Sequence, residues 1–160
     1  MRKVIAIAAG PGFVAGVYIF IASFFGLTME KLGAKAILLH VGIFALFIPL
    51  VIVERWSKGV DPLRGKPRWV VRSMQILFLL FVGVFLAFLT LSHAASPEIV
   101  NGDYVLNSHG RIVGYISEKD YLFLKGWELR LFASGWMVFY YGLIMYWWFS
   151  SPRRVDCGDA

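Results

Sequence analysis

The sequence contains little charge and almost no cysteine. Only 16% of its 160 residues are Asp, Glu, Lys or Arg, whereas a water-soluble domain carries about 25%. Its single cysteine, Cys157, cannot form an intramolecular disulfide, so the pattern of a disulfide-stabilised secreted domain is absent. Hydrophobic residues make up 59% of the chain and the mean hydropathy is +0.69. This apolar excess predicts an integral membrane protein, with the lipid bilayer as its main partner.

The sequence also lacks motifs that would assign a chemistry. It has no Gly-rich phosphate-binding turn at the start of a helix, no nucleophile elbow and no HExxH zinc-protease motif. A paired intramembrane carboxylate, the usual relay of a proton-coupled transporter, is missing as well. The net charge of +6 comes from basic residues beside apolar runs, which indicates attraction to anionic lipid and not to nucleic acid. An enzyme is therefore not the favoured prediction, and no cofactor is assigned.

Four apolar runs are long enough to be membrane-spanning helices, which need roughly 20 residues. They predict an all-α membrane protein, a four-helix transmembrane bundle that forms a single integral membrane domain over residues 1–160. The first run exceeds the roughly 7–15 apolar residues of a secretion signal, so we expect it to be retained. The predicted spans are residues 4–27, 36–53, 70–92 and 131–149.

Basic residues are concentrated in one of the segments between these runs. The segment 28–35 contains two basic residues, Lys31 and Lys35. The segment 54–72 contains six: Arg55, Lys58, Arg64, Lys66, Arg68 and Arg72. Since basic loops stay in the cytoplasm, this predicts a cytoplasmic loop at 54–69 and both termini on the same side. We expect a multi-pass protein of a bacterial inner membrane. Within the loop, the candidates for lipid headgroup contact are Arg64, Lys66 and Arg68.

Residues 97–127 form the only region with the pattern of a water-exposed fold. Two β-type runs at 103–106 and 111–116 flank a turn sequence at 107–110, which predicts a β-hairpin. Ser117 stands three residues before Asp120, as at a helix N-terminus, so a helix is expected from Glu118 onward.

Together the hairpin and helix predict a small extracytoplasmic β-hairpin/helix cap between spans three and four. One interpretation is that residues 103–127 dock an extracytoplasmic protein partner. The other is that the cap only covers the end of the bundle, because small folded loops often serve packing.

Small residues recur in the first apolar run. Ala8, Gly12 and Gly16 follow one another at four-residue spacing, and the two glycines form a GxxxG motif. Small residues on one helical stripe allow helices to approach closely in a membrane. The motif predicts helix packing, either inside this chain or in a homo-oligomer.

His40 is the ionisable residue that lies well inside an apolar run, and a polar ring there needs a partner. His40 and His93 are candidate ligands of a small molecule or of a haem iron, as axial histidine pairs are. With His109 they could instead bind a metal, or His40 could be a hydrogen-bonded core residue. Four residues at a similar predicted depth suggest an outer polar cluster: Ser23, Thr90, Ser134 and Trp136.

Two functions follow from these observations. The favoured prediction is a small polytopic accessory or interaction protein of the inner membrane, whose outer cap meets a partner. The alternative is a membrane site beneath the cap that binds a small molecule, lipid or haem around His40.

Overall fold

A computed structural model describes residues 2–55 and 66–149, including the side chains of residues 4–48 and 66–149. Helix α1 (Arg2–Ala22) is followed by a 3-10 turn (Ser23–Phe25) and the short helix α2 (Met29–Leu32). Two long helices come next, α3 (Ala34–Arg55) and α4 (Arg68–Leu91). Three strands precede the last helix: β1 (Ser96–Val100), β2 (Asp103–Ser108), β3 (Arg111–Tyr115) and then α5 (Glu118–Trp148).

The prediction of an all-α, four-helix transmembrane bundle is wrong. The described residues form five α-helices and a three-stranded antiparallel sheet. Among them, two helical stretches, Val4–Phe25 and Arg68–Leu91, are long and apolar enough to cross a membrane. A further apolar helical stretch, Ala34–Ile48, lies in the part of α3 whose side chains the structure describes.

The fourth predicted span was wrong because of the kind of hydrophobic residue it contains. Residues 131–149 lie in the second half of α5, which is rich in Trp and Tyr. These side chains are large and apolar over most of their surface, but each carries an N–H or O–H group that seeks a polar partner. Counting them as hydrophobic overstated how well this stretch suits the bilayer interior.

Helix α5 is the central element of the helical body. Its buried side chains recur at spacings of four and three residues, which places them on one face of the helix. Helix α1 packs along this face in the antiparallel direction, since Ser23 lies beside Arg130 and Gly12 beside Tyr140. The buried row consists of Leu129, Ala133, Trp136, Tyr140, Leu143 and Trp147.

Helix α4 packs on another side of α5, also in the antiparallel direction. The Ser73 hydroxyl lies 2.5 Å from the Tyr141 hydroxyl, and the Phe81 ring lies against Gly135. Only Val70 and Val84 of α4 are buried, so most of its apolar side chains face outward. A long row of exposed apolar side chains is typical of a surface that contacts a membrane or another protein.

The three strands form a sheet in the order β1–β2–β3, with both neighbouring pairs antiparallel. The predicted hairpin is present as β2 and β3, and His109 and Gly110 turn the chain with positive φ angles of 53° and 81°. Strand β1 was not predicted. Pro97 argues against a central strand, but a strand at the sheet edge tolerates proline.

Helix α5 begins where the sequence predicted. The Ser117 Oγ accepts a hydrogen bond of 3.1 Å from the Asp120 backbone N–H, and acidic residues occupy the first turn, which suits the positive end of the helix dipole. The helix then continues for 31 residues through Gly126 without interruption. One element therefore connects the sheet to the helical body.

Candidate functional site

The sheet is fixed to the helices through a small buried cluster. Ala95, Leu106 and Leu124 are buried together, and Ile116 packs against them. Within the described part of the chain, α5 packs on β1 and β2, and β3 lies beyond them at the edge of the sheet. In the described part of the chain, β3 is therefore held to the helices through β2, and its other edge is unpaired.

A hydrogen bond between two distant segments strengthens this attachment. The Tyr121 hydroxyl of α5 donates to the Glu30 carboxylate of α2, and the Tyr104 ring of β2 lies 5.0 Å from the Tyr121 ring. Burial, and then the bond to Glu30, raise the pKa of the Tyr121 hydroxyl well above its ordinary value. The phenol thus remains a neutral donor, and it ties α2, α5 and β2 together.

Strand β3 exposes several apolar side chains. Ile112 is 46% exposed, Val113 59% and Tyr115 72%. By register, Ile112 pairs with Asn107 and Tyr115 with Val105, so these two side chains lie on the same face of the sheet. Val113 also has no register partner on β2, because the ladder shifts between Leu106 and Asn107. We call Ile112, Val113 and Tyr115 the exposed edge.

His40 lies on the side of α3 that faces α5. Its Nδ1 is 3.0 Å from the Ala36 carbonyl oxygen. The imidazole makes edge-on contacts with the Phe132 and Trp136 rings, at centroid distances of 5.5 Å and 5.2 Å. One ring nitrogen thus has a backbone partner in the helix, and the imidazole packs between aromatic rings.

The structure does not bring the three histidines together. His93 is exposed in the turn after α4, with a φ angle of 53°, and His109 is exposed in the β2–β3 turn. Among the described elements, α3 and α4 do not contact each other, so His40 and His93 lie on separate parts of the body. In residues 2–55 and 66–149 there is no group of three or more His, Cys, Asp or Glu side chains placed to hold a metal ion.

The members of the expected outer polar cluster mostly bond to their own helices. Thr90 is exposed and donates to the Leu86 carbonyl oxygen over 2.8 Å. Ser134 is buried and donates to the Leu131 carbonyl oxygen over 2.9 Å. Trp136 is buried against His40.

Ser23, the fourth member, is part of a contact that the sequence did not suggest. Arg130 Nε and Nη2 donate to the Ser23 Oγ and carbonyl oxygen, each over 3.2 Å. The guanidinium also lies over the Phe24 and Trp127 rings, 4.2 Å and 4.9 Å from their centroids. A cation at the C-terminal end of α1 complements the helix dipole. Arg130 therefore joins the end of α1 to α5.

The small residues of α1 differ in their surroundings. Gly16 is buried, and a Cβ there would lie 3.2 Å from Met137 Cγ. Gly12 faces the ring of Tyr140, whereas Ala8 is exposed. The two glycines thus pack on α5 within this chain.

Of the predicted headgroup contacts, Arg64 lies outside the described residues. Lys66 Nζ is 5.3 Å from the centroid of the Tyr146 ring, and partial burial lowers the pKa of this ammonium. Arg68 is exposed at the start of α4.

Tyr140 is the most consequential residue that sequence reasoning missed. Its ring fills the space between Gly12 of α1 and Gly42 of α3, and its hydroxyl donates to the Leu39 carbonyl oxygen over 2.8 Å. The signal was present in the sequence, since Trp136, Tyr140 and Leu143 follow one helical face. The contacts of Tyr121 with Glu30 and of Arg130 with Ser23 left no such signal, because each joins segments about a hundred residues apart.

Neither a scan against protein-family models nor searches of the curated proteins and of the solved structures found a match for this chain.

Proposed function

We propose that this chain is a membrane-anchored interaction protein, in which α1 and α4 lie across the bilayer and the sheet presents β3 to a protein partner. The observation that carries the proposal is the exposed edge. A strand with an unpaired backbone edge and exposed apolar side chains is a template for another strand. Partners recognised in this way supply an extended segment that continues the sheet.

The membrane part of the proposal is supported by the surfaces of the two long apolar helices. Only 6% of the most apolar window of α4 and 22% of that of α1 are buried inside the protein. A helix that is apolar on nearly all sides is buried in a large core or lies in a membrane. The described residues leave most of both helix surfaces uncovered, which favours the membrane.

The distribution of charge supports an orientation. Both α1 and α4 run antiparallel to α5 and therefore parallel to each other, with their C-terminal ends toward the sheet. Their N-terminal ends lie near the basic residues Arg2, Lys3, Lys66, Arg68 and Arg72. By the preference of basic segments for the cytoplasm, the sheet would face the extracytoplasmic side.

Labelling of an introduced cysteine tests this orientation. With Cys157 replaced by serine, His109→Cys places one thiol in the exposed turn of the β2–β3 hairpin. A membrane-impermeant maleimide should label it in intact cells to the same extent as in lysed cells. Ser57→Cys, in the basic segment, is the matched control and should react only after lysis. The opposite pattern would show that the sheet faces the cytoplasm.

Charge substitutions at the two edges of the sheet test the partner site. Val113→Lys places an ammonium on the exposed edge, where burial against a partner strand would leave the charge unpaired. The matched control is Ile99→Lys, on the opposite edge strand β1, since Ile99 is 54% exposed and Val113 59%. We expect the Val113 variant to reduce partner recovery by about tenfold, and the Ile99 variant to leave it unchanged.

The measurement is photocrosslinking in native membranes from a benzoylphenylalanine at position 115, followed by quantitation of one defined adduct. Circular dichroism of both purified variants checks that the fold is kept. Equal adduct yields from the two lysine variants, or adducts to lipid alone, would contradict the proposed role of β3.

A further inference from the structure

A groove runs between α1 and α3 next to α2. It has a volume of about 420 Å³, within the roughly 300–1,000 Å³ of small-molecule sites. It exists because α1 and α3 each pack on α5 more than on each other. Its walls are mainly apolar side chains of both helices and the connecting segment, among them Ala15, Ile19, Leu27, Leu32, Leu38 and Leu39.

Two ammonium groups stand at the α2 end of this groove, Lys31 and Lys35. Lys31 Nζ donates to the Gly26 carbonyl oxygen over 2.8 Å and retains further N–H donors. Lys35 is exposed and forms no hydrogen bond or ion pair within the described part of the chain. The neighbouring carboxylate, Glu30, accepts its hydrogen bond from Tyr121 of α5. Glu30 keeps its negative charge in this bond, but neither lysine forms an ion pair within the described residues.

The position of the lysines in the chain indicates where their ligand comes from. The apolar helical stretch that begins in α1 ends at Phe25, and Lys31 in α2 and Lys35 at the start of α3 follow within ten residues. If α1 lies across the bilayer, this is the level at which phosphate headgroups meet the ends of the acyl chains. The apolar walls of the groove along the helices suit an acyl chain, and the two lysines at its end suit the phosphate headgroup of the same lipid.

We propose that the groove binds an anionic phospholipid, with an acyl chain along α1 and α3 and the phosphate on Lys31 and Lys35. This inference goes beyond the partner site on β3 and rests on the proposed membrane location of α1. Binding is an association without covalent chemistry. It would fill the space between two helices that pack on α5 more than on each other.

Native mass spectrometry of the delipidated, full-length protein tests the site. The probes are phosphatidylglycerol and phosphatidylcholine with identical acyl chains, added together to the detergent solution. We expect the wild type to retain phosphatidylglycerol preferentially. The variant Lys31→Gln/Lys35→Gln should retain about tenfold less of it, because each basic residue near a headgroup contributes substantially to the affinity for an anionic lipid. The matched control, Arg111→Gln/Lys119→Gln, removes the same charge at exposed sites outside the groove and should keep the wild-type retention.

A second variant tests the apolar part. Ala15→Phe places a ring in the groove while both lysines remain, and it should lower retention of both lipids. Inorganic phosphate should not displace the bound lipid, because it lacks the acyl chain. Equal retention of the two lipids, equal losses in the two charge variants, or displacement by inorganic phosphate would each overturn the proposal. The readout is lipid retention and not partner recovery at β3, so the partner site and the lipid site succeed or fail separately.

Discussion

Trp136→Ala is expected to destabilise the protein by about 3–5 kcal/mol, the usual cost of removing a buried aromatic side chain. Trp136 is 2% exposed and lies in the main buried cluster of α5. Its ring contacts the imidazole of His40 and lies 6.4 Å from the Phe132 ring centroid. Alanine would leave a cavity between α3 and α5, and the helices could close it only by moving together.

Trp148→Ala provides the control for this prediction. Trp148 lies on the same helix but is 55% exposed, so its removal should change stability by less than about 1 kcal/mol. The measurement is the thermal midpoint of unfolding in detergent, monitored by circular dichroism. For a chain of this length the Trp136 variant should melt roughly 6–20 °C lower. Similar midpoints for the two alanine variants would show that the face of α5 toward α3 is not the core.

Trp136→Phe refines the interpretation. The Trp136 Nε1–H is buried and has no acceptor within the described residues, and an unmet buried donor costs about 1–3 kcal/mol. Phenylalanine removes that donor and retains most of the aromatic contact with His40. We therefore expect a much smaller loss than for alanine. A loss as large as that of alanine would indicate that the indole N–H has a partner in the intact protein.

Local patterns predicted the local structure well. The hairpin of β2 and β3 followed from the branched and aromatic residues on either side of the turn at His109 and Gly110. The start of α5 followed from Ser117 and Asp120. In both cases the determining interactions join residues only a few positions apart, so the sequence itself contains them.

The arrangement of the helices was less predictable, for a physical reason. Apolar composition does not distinguish a helix facing lipid from one covered by other helices. Thus α4, which packs on α5 along one side, and the second half of α5, the central helix, were both predicted as spans from the sequence. The surroundings of His40 could not be predicted for the same reason. His40 was identified as needing a partner, but its backbone acceptor and its aromatic neighbours depend on how α3 packs against α5.

Gly12→Leu should destabilise the helical body by about 3 kcal/mol, at the upper end of the usual cost of overpacking. A Cβ at Gly12 would lie 2.7 Å from Tyr140 Cδ1 and closer still to the neighbouring ring atoms. The ring cannot easily move away. Its hydroxyl is hydrogen-bonded to the Leu39 carbonyl oxygen, and Gly42 of α3 leaves room for that hydroxyl and nothing larger. The added side chain would therefore force α1 away from α5.

Gly10→Leu is the matched control, because it makes the same change two residues earlier in α1. No atom lies within 4 Å of a Cβ placed at Gly10, and replacement of glycine inside a helix gains about 0.8–1 kcal/mol of helix propensity. We expect its thermal midpoint to equal or slightly exceed that of the wild type, whereas the Gly12 variant should melt roughly 6–12 °C lower. A double-mutant cycle with Tyr140→Ala isolates the contact. If Tyr140 is the obstacle, Gly12→Leu should cost far less once the ring is gone. An unchanged cost would mean that α1 meets some other surface at Gly12, such as a second copy of the chain.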